Sequence, residues 1–257
     1  MSFEKEIASH FKNGHELYLR NLSVDCVIFG FHENELKVLL LKAKYAGIWA
    51  LPGGFILKEE HMDEAARRIL KNRTGLDNIF MQQFYVFSHP QRSTKAINQQ
   101  FLKNVGVDMK ESWMFDRFLS VGYTALVDFT KVDPIPDLFS AAIEWHNVQA
   151  LPDMILDHSD ILNNALQRLQ TNLNYHPIGY NLLPEKFTMP ELQKLYETIL
   201  NRKLDRRNFQ RKIIGTKILK KLNETKKGVA HKAPNYYKFD LKQYKKALQG
   251  GLGFHLT

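Results

Sequence analysis

Two stretches of the sequence concentrate residues that can do chemistry. The first, PGGFILKEEHMDEAARRILKNRTGL (residues 52–76), has a Gly53-Gly54 turn, acids at a helix entrance (Glu59, Glu60, Glu64) and a basic helix. Carboxylates spaced i, i+3 and i+4 share one helix face, where they can hold hard divalent cations against a pyrophosphate. Here positions 69, 72 and 73, which have that spacing, carry Ile, Asn and Arg. A cation about 4 Å from another unit charge is repelled by roughly 4 kcal/mol at an effective dielectric of about 20, and more by a divalent ion. The stretch keeps the frame of a phosphate-handling motif without its ligands, so no metal site and no catalytic residue is expected from it. Glu59, Glu60 and Glu64 either serve a relocated acidic site or line a solvated helix entrance.

The second stretch is LDRRNFQRKII (residues 204–214). Arg206, Arg207, Asn208, Gln210, Arg211 and Lys212 can hydrogen-bond bases and phosphates; Arg and Gln suit major-groove base edges, and Lys suits phosphate. Lys226, Lys227, His231 and Lys232 follow in a basic loop and are candidates for the DNA backbone. Residues 181–257 hold 18 Lys and Arg against 6 Asp and Glu, whereas residues 1–180 hold 18 against 21. The net charge of +9 therefore belongs to the last third of the chain, which points to a polyanionic partner for that part alone.

These residues need elements to position them. VDCVIFGF (24–31) and ELKVLLLKA (35–43) read as strands joined by the polar HENE. After the glycine turn, Ala65, Ala66, Ile69 and Leu70 recur at helical spacing, and Gly75 is placed to end the helix. NIFMQQFYVFS (78–88) and DRFLSVGYTALVDF (116–129) read as further strands, with an inserted loop or short helix between them over 93–112. DHSDILNNALQRLQTNL (157–173) reads as a connecting helix, with Ile161, Leu162, Ala165, Leu166 and Leu169 apolar. NYHPIGYNLLPEK carries Pro177, Gly179 and Pro184 and reads as a boundary. FTMPELQKLYETIL opens with Thr188 as cap, Glu191 as its capping-box partner and Pro190 in the first turn; Leu192, Leu195, Tyr196 and Ile199 share one face. Asp205 caps a second helix with Phe209, Ile213 and Ile214 on its apolar side. ILKKL and YYKF then read as strands around the basic loop, and two helices followed by such a hairpin are the requirements of a winged helix-turn-helix.

Taken together, Gly53, Gly54, Glu60, Arg68, Gly75 and Leu76 resemble the Nudix box, and the box followed by FTMPELQKLYETIL and LDRRNFQRKI resembles the Nudix-related, NrtR-like transcriptional regulators over about residues 20–240. The resemblance implies an α+β fold: a Nudix-like mixed-sheet effector domain (1–155), a connecting helix and linker (156–184), a winged-helix DNA-binding domain (185–247) and a loose tail (248–257). It implies a homodimer that binds a double-stranded DNA operator under control of a small metabolite, ADP-ribose or a pentose such as L-arabinose. Because a pocket without metal-binding acids has less means of holding a pyrophosphate, the pentose is the slightly preferred expectation. Apolar and aromatic residues around a few polar groups suit such a pocket, and Trp49, Phe55, Phe87, Arg92, Arg117 and Tyr123 are the candidates. The alternative is a Nudix hydrolase of ADP-ribose or a similar nucleoside diphosphate, using relocated acids. No cofactor is called for.

The remaining features bound the class. No apolar run approaches the ~20 residues that span a bilayer, and MSFEKEIASHFKNGHE has the pattern of neither a secretory signal nor a transit peptide, so a cytoplasmic protein is expected. Cys26, the single cysteine, sits in an apolar strand and reads as a buried thiol.

Overall fold

A computed structural model of the 257-residue chain describes residues 9, 12–44, 47–77, 79–104, 112–136, 140–173, 178–226, 228 and 233–250. The chain divides into two compact units, Met1–Phe29 with Val38–Ala125 and Lys131–Ala165, and Gly30–Lys37 with Leu126–Thr130 and Leu166–Thr257.

A mixed seven-stranded sheet dominates the first unit. Its strands are β1 (Tyr18–His32), β2 (Glu35–Ala43), β3 (Trp49–Ala50), β4 (Gly53–Leu57), β5 (Met81–Phe87), β6 (Leu119–Val127) and β7 (Ser140–Asn147). They run in the order β3-β2-β1-β6-β5, with β4 paired to β1 and β7 to β2. Residues 24–30 of β1 are buried without alternation, as in a strand covered on both faces. Cys26 is fully buried among them, and desolvation drives its thiol well above the ordinary range. The HENE stretch closes the β1–β2 hairpin, with Glu33 and Asn34 at positive φ.

Helix α1 (Met62–Thr74) follows β4 and packs on it. Ala65, Ala66, Ile69 and Leu70 are buried, and Gly75 ends the helix at φ 70°, donating its N–H to Lys71 O. The 93–112 stretch contains α2 (Lys95–Asn104), while residues 105–111 lie outside the described residues. Helix α3 (His158–Asn172) buries Ile161, Leu162, Ala165 and Leu169, with Leu166 half-buried. Strand β7 carries no strong periodic signal in the sequence, and it pairs with β2.

In the second unit, β8 (Phe187–Thr188), α4 (Met189–Leu200), α5 (Arg206–Gly215), β9 (Leu219–Thr225) and β10 (Asn235–Phe239) follow in order, and the strands form a sheet β8-β10-β9. The capping box is present: Thr188 N donates to Glu191 Oε2 at 2.7 Å, and Glu191 N donates to Thr188 Oγ1 at 3.4 Å. Leu192, Leu195, Tyr196 and Ile199 are all at most 1% exposed. Phe209 and Ile213 bury against this face, Phe209 meeting Tyr196 edge to face at 5.3 Å. Ile214 does not join them and is 47% exposed. At about 100° per residue, position 214 is rotated off the stripe that joins 209 and 213. A further helix, α6 (Leu241–Gly250), buries Tyr244 against Phe239 and Tyr180, and residues 251–257 lie outside the described residues. Among the described residues no helix is long and apolar enough to cross a membrane.

Candidate functional site

The glycine turn is held from below by a buried carboxylate. Gly53 pairs with Asp25 on β1, Gly54 with Val24, and Cys26 N donates to Pro52 O at 2.7 Å. A Cβ on Gly53 would stand 2.4 Å from Asp25 Oδ1 and 3.0 Å from Val24 O, so only glycine allows this approach. Gly53→Ala is expected to cost about 1–3 kcal/mol, as overpacking of an interior does, read by urea denaturation; an unchanged midpoint would show that the strand pair can spread freely.

Asp25 belongs to a buried network. Ser120 Oγ donates to Asp25 Oδ2 at 2.5 Å. Arg92 gives a two-pronged ion pair to Asp157, at 2.7 and 2.9 Å, donates to Phe118 O at 3.2 Å and lies 3.7 Å from Asp25 Oδ2. His158 Nε2 lies 3.8 Å from Asp25 Oδ1, and His158 Nδ1 accepts the Leu51 N–H at 2.9 Å. The sequence signal for it was a lone aspartate inside the apolar run VDCVIFGF, and the partners come from positions as distant as 157 and 158.

Burial pushes the His158 ring below its ordinary pKa of 6.5, Asp25 and Asp157 oppose that, and Arg92 adds to it. A folded-state value below the unfolded one means that the unfolded chain takes up a proton that the folded chain refuses. Stability is therefore complete above about pH 6.5 and falls as pH drops below it, by at most about 1.4 kcal/mol per pH unit from this residue. Denaturation midpoints at pH 7.5 and 5.5 check this: the wild type should lose more stability between them than a His158→Asn variant.

Along α1 the box splits into a structural part and an altered part. Glu60 accepts two bonds from Arg68, both 2.7 Å, and the Leu57 N–H, while Arg68 also donates to Phe55 O. The Arg68 bonds, with the Leu57 N–H and against some desolvation, hold the Glu60 carboxyl below the usual carboxylate range. Glu64 accepts the His61 N–H at the helix start, and Glu59 is exposed. The position of the first box acid holds Ile69, buried and packed close to Gly54, with Asn72 exposed and Arg73 half-buried further along. Among the described residues no group of three or more His, Cys, Asp or Glu side chains is placed to hold a metal ion.

The six effector candidates have different surroundings. Trp49 meets His146 edge to face at 4.2 Å and has Lys42 Nζ over its ring at 5.6 Å. Phe55 joins an aromatic cluster with Tyr18, Trp113 and Phe118. Phe87 is buried beside Phe84 and Tyr85. Arg92 is committed to the internal network, Tyr123 OH donates to Asp63 Oδ1 at 2.5 Å, and Arg117, exposed, donates to Ser88 O.

In the second unit, Asp205 Oδ1 accepts the Asn208 N–H at 2.8 Å, which starts α5. Arg206 and Arg207 are exposed, and among the described residues neither has an acid within salt-bridge distance. Asn208 Oδ1 accepts a bond from Arg211 at 2.9 Å, and Gln210 and Lys212 are half-buried. Lys226 donates to Glu191 Oε1 at 2.7 Å. Burial opposes ionisation of Glu191, but Lys226 and Thr188 outweigh it and keep the carboxyl below its ordinary range. Lys227, His231 and Lys232 lie outside the described residues. Two residues not singled out from the sequence set the turn between the helices: Glu197 accepts the Leu204 N–H at 2.9 Å, and Gln193 donates to Glu197 at 3.1 Å and to Leu204 O at 3.0 Å. Their i, i+4 spacing was the available signal.

A mixed sheet with its box helix, followed by a capped pair of helices and a hairpin, defines a Nudix-fold protein with an appended winged helix. The NUDIX domain model matches residues 19–168 and the NrtR DNA-binding winged helix domain model matches residues 179–239; the chain belongs to the Nudix-related, NrtR-like family. It is 29% identical over 231 residues to the ADPR responsive transcriptional repressor NtrR of Acinetobacter baylyi, covering 87% of this chain and 83% of that one. It is 35% identical over 115 residues to an ADP-ribose pyrophosphatase of Methanocaldococcus jannaschii, covering 40% of this chain and 66% of that one. Among solved structures, Shewanella oneidensis NrtR complexed with a 27mer DNA matches with a TM-score of 0.69 at 23% identity, covering 88% of this chain and 96% of that one. A MutT/nudix family protein from Enterococcus faecalis matches with a TM-score of 0.62 at 20% identity, covering 93% and 100%.

Proposed function

We propose that the protein is a transcriptional repressor that binds a DNA operator as a homodimer through its winged helix and releases or tightens that grip when its Nudix-like domain binds ADP-ribose without hydrolysing it. The observation that carries this reading is a single chain that joins a Nudix fold bearing Ile69, Asn72 and Arg73 on its metal face to a reader helix with exposed Arg206 and Arg207. If the effector is a signal, cleaving it erases the signal, so losing the metal ligands suits a sensor. The likeness to the A. baylyi repressor moves the effector choice from a pentose to ADP-ribose.

Of the effector candidates, Trp49, Phe55 and Arg117 have half-buried or exposed surface that a ligand can reach, whereas Phe87, Arg92 and Tyr123 are buried. Two winged helices must match half-sites about 34–36 Å apart, and the ligand shifts that placement only by its differential affinity for the two arrangements. The hydrolase reading draws on the partial likeness to the M. jannaschii enzyme.

One set of measurements separates the readings. A duplex selected from random sequence should bind with a steep loss of affinity as salt rises, because several phosphate contacts release counterions, and saturating ADP-ribose should change that affinity where L-arabinose does not. ADP-ribose at about 100 times its dissociation constant should stabilise the protein by about 2.7 kcal/mol in a thermal shift. With Mg²⁺ present, no AMP should appear; magnesium-dependent AMP release that rises in an Arg73→Glu variant would establish the enzyme instead.

A further inference from the structure

His158 opens α3 and is 6% exposed. Its Nδ1 accepts the Leu51 N–H at 2.9 Å, and Leu51 leads directly into Pro52-Gly53-Gly54. The turn is thus gripped twice, by the β1 backbone through Cys26 N and Pro52 O and by one side chain arriving from a helix more than a hundred residues later. A ring whose Nδ1 accepts a hydrogen bond keeps its neutral-form proton on Nε2, which here faces Asp25 Oδ1 at 3.8 Å. That same carboxylate blocks any side chain at Gly53. Arg92 reaches both Asp25 and Asp157, the residue before His158, so the start of α3 and the underside of the turn share one set of buried charges.

Resting on the reading that the glycine turn carries the effector site, we propose that His158 is the positioning residue of that site: it holds Leu51–Gly54 in the ligand-binding shape and fixes that shape to the first turn of α3. The groups facing the ring are Asp25 from β1, Arg92 from the segment after β5, Asp157 from its own segment and the Leu51 N–H, with Ser120 of β6 bound to the far oxygen of Asp25. Protonating Nδ1 sets an N–H against the Leu51 N–H, two donors with no acceptor between them, and frees the turn.

The test compares full-length wild type with His158→Phe, which keeps a ring but removes the acceptor, and His158→Asn, whose side-chain oxygen stands near the Nδ1 position. Hydrogen-exchange protection at the Leu51 amide is read without ligand, and ADP-ribose affinity by calorimetry. His158→Phe should lose about tenfold or more in both, as an unmade buried hydrogen bond does, and His158→Asn should restore both. The wild-type protection factor should fall between pH 7.5 and 5.5, while that of His158→Asn should hold. Full Leu51 protection and full affinity in His158→Phe, or no recovery in His158→Asn, would overturn the proposal. If His158→Phe does not fold, a pH-independent Leu51 protection factor in the wild type overturns it. If the wild type binds neither ADP-ribose nor L-arabinose, the effector reading fails, while Leu51 exchange still decides whether His158 holds the turn.

Discussion

Replacing Arg92 with leucine should lower the unfolding free energy by about 3–5 kcal/mol, the cost of removing one partner of a buried ion pair. The Arg92 side chain is 3% exposed, and it faces Asp157 at 2.7 Å and Asp25 at 3.7 Å. The substitution leaves both carboxylates in place with little water to solvate them, and it strips Phe118 O of a donor. Much of the loss is the penalty on the abandoned charges and not the strength of the pair, because a desolvated pair only partly recovers its hydration energy. The double variant Arg92→Leu with Asp157→Leu should therefore recover part of the loss. Urea denaturation of the two variants reads this directly. A loss under about 1 kcal/mol, the range of exposed pairs, would show that water reaches the network.

Alanine at Arg206 or Arg207 should each weaken binding to the preferred operator by about 1–3 kcal/mol and flatten the preference among sequences, as loss of a base-reading residue does. These two side chains lie in the first turn of α5, which Asp205 caps, and the first turn of a recognition helix is the part that meets base edges. Their exposure and lack of an acidic partner among the described residues leave the guanidinium groups available for guanine O6 and N7. Lys226→Ala should behave differently, lowering affinity for all duplexes alike and also loosening the start of α4, because Lys226 bonds the capping Glu191. Anisotropy titrations against the selected operator and a scrambled duplex, each at two salt concentrations, distinguish these outcomes. Equal weakening across sequences by the Arg206 and Arg207 variants would remove α5 from base readout.

The elements that carry function were legible where local rules act alone. Thr188 and Glu191 announce a capping box and form one. Asp205 announces a cap and accepts the Asn208 N–H. Gly75 is placed to end α1 and does so in the left-handed conformation. The helix-facing residues Leu192, Leu195, Tyr196 and Ile199 are buried as their spacing requires. Ile214 was misplaced because two adjacent isoleucines look alike in sequence, and only the angle around the helix separates them.

What lay beyond local reading was whatever depends on distant partners. Arg92 looked like a ligand-facing guanidinium, yet Asp157, 65 positions away, takes both its prongs. Lys226, read from the sequence as a wing cation, also bonds Glu191, 35 positions away. Strand β7 and helix α6 form through ladder pairing and aromatic burial that no short window records.

The sequence alone determined the order of the parts, the glycine turn, the absence of the box acids from positions 69, 72 and 73, and the basic character of the last third, because composition, spacing and capping are properties of neighbours along the chain. Only the tertiary structure decided that a buried Asp25 fixes Gly53, that His158 reaches back to the turn, and that Glu197 sets the bend between α4 and α5. Those facts rest on hydrogen bonds and desolvated charges whose energy depends on distance and dielectric in space, and two residues far apart in sequence give no sign of either until the chain brings them together.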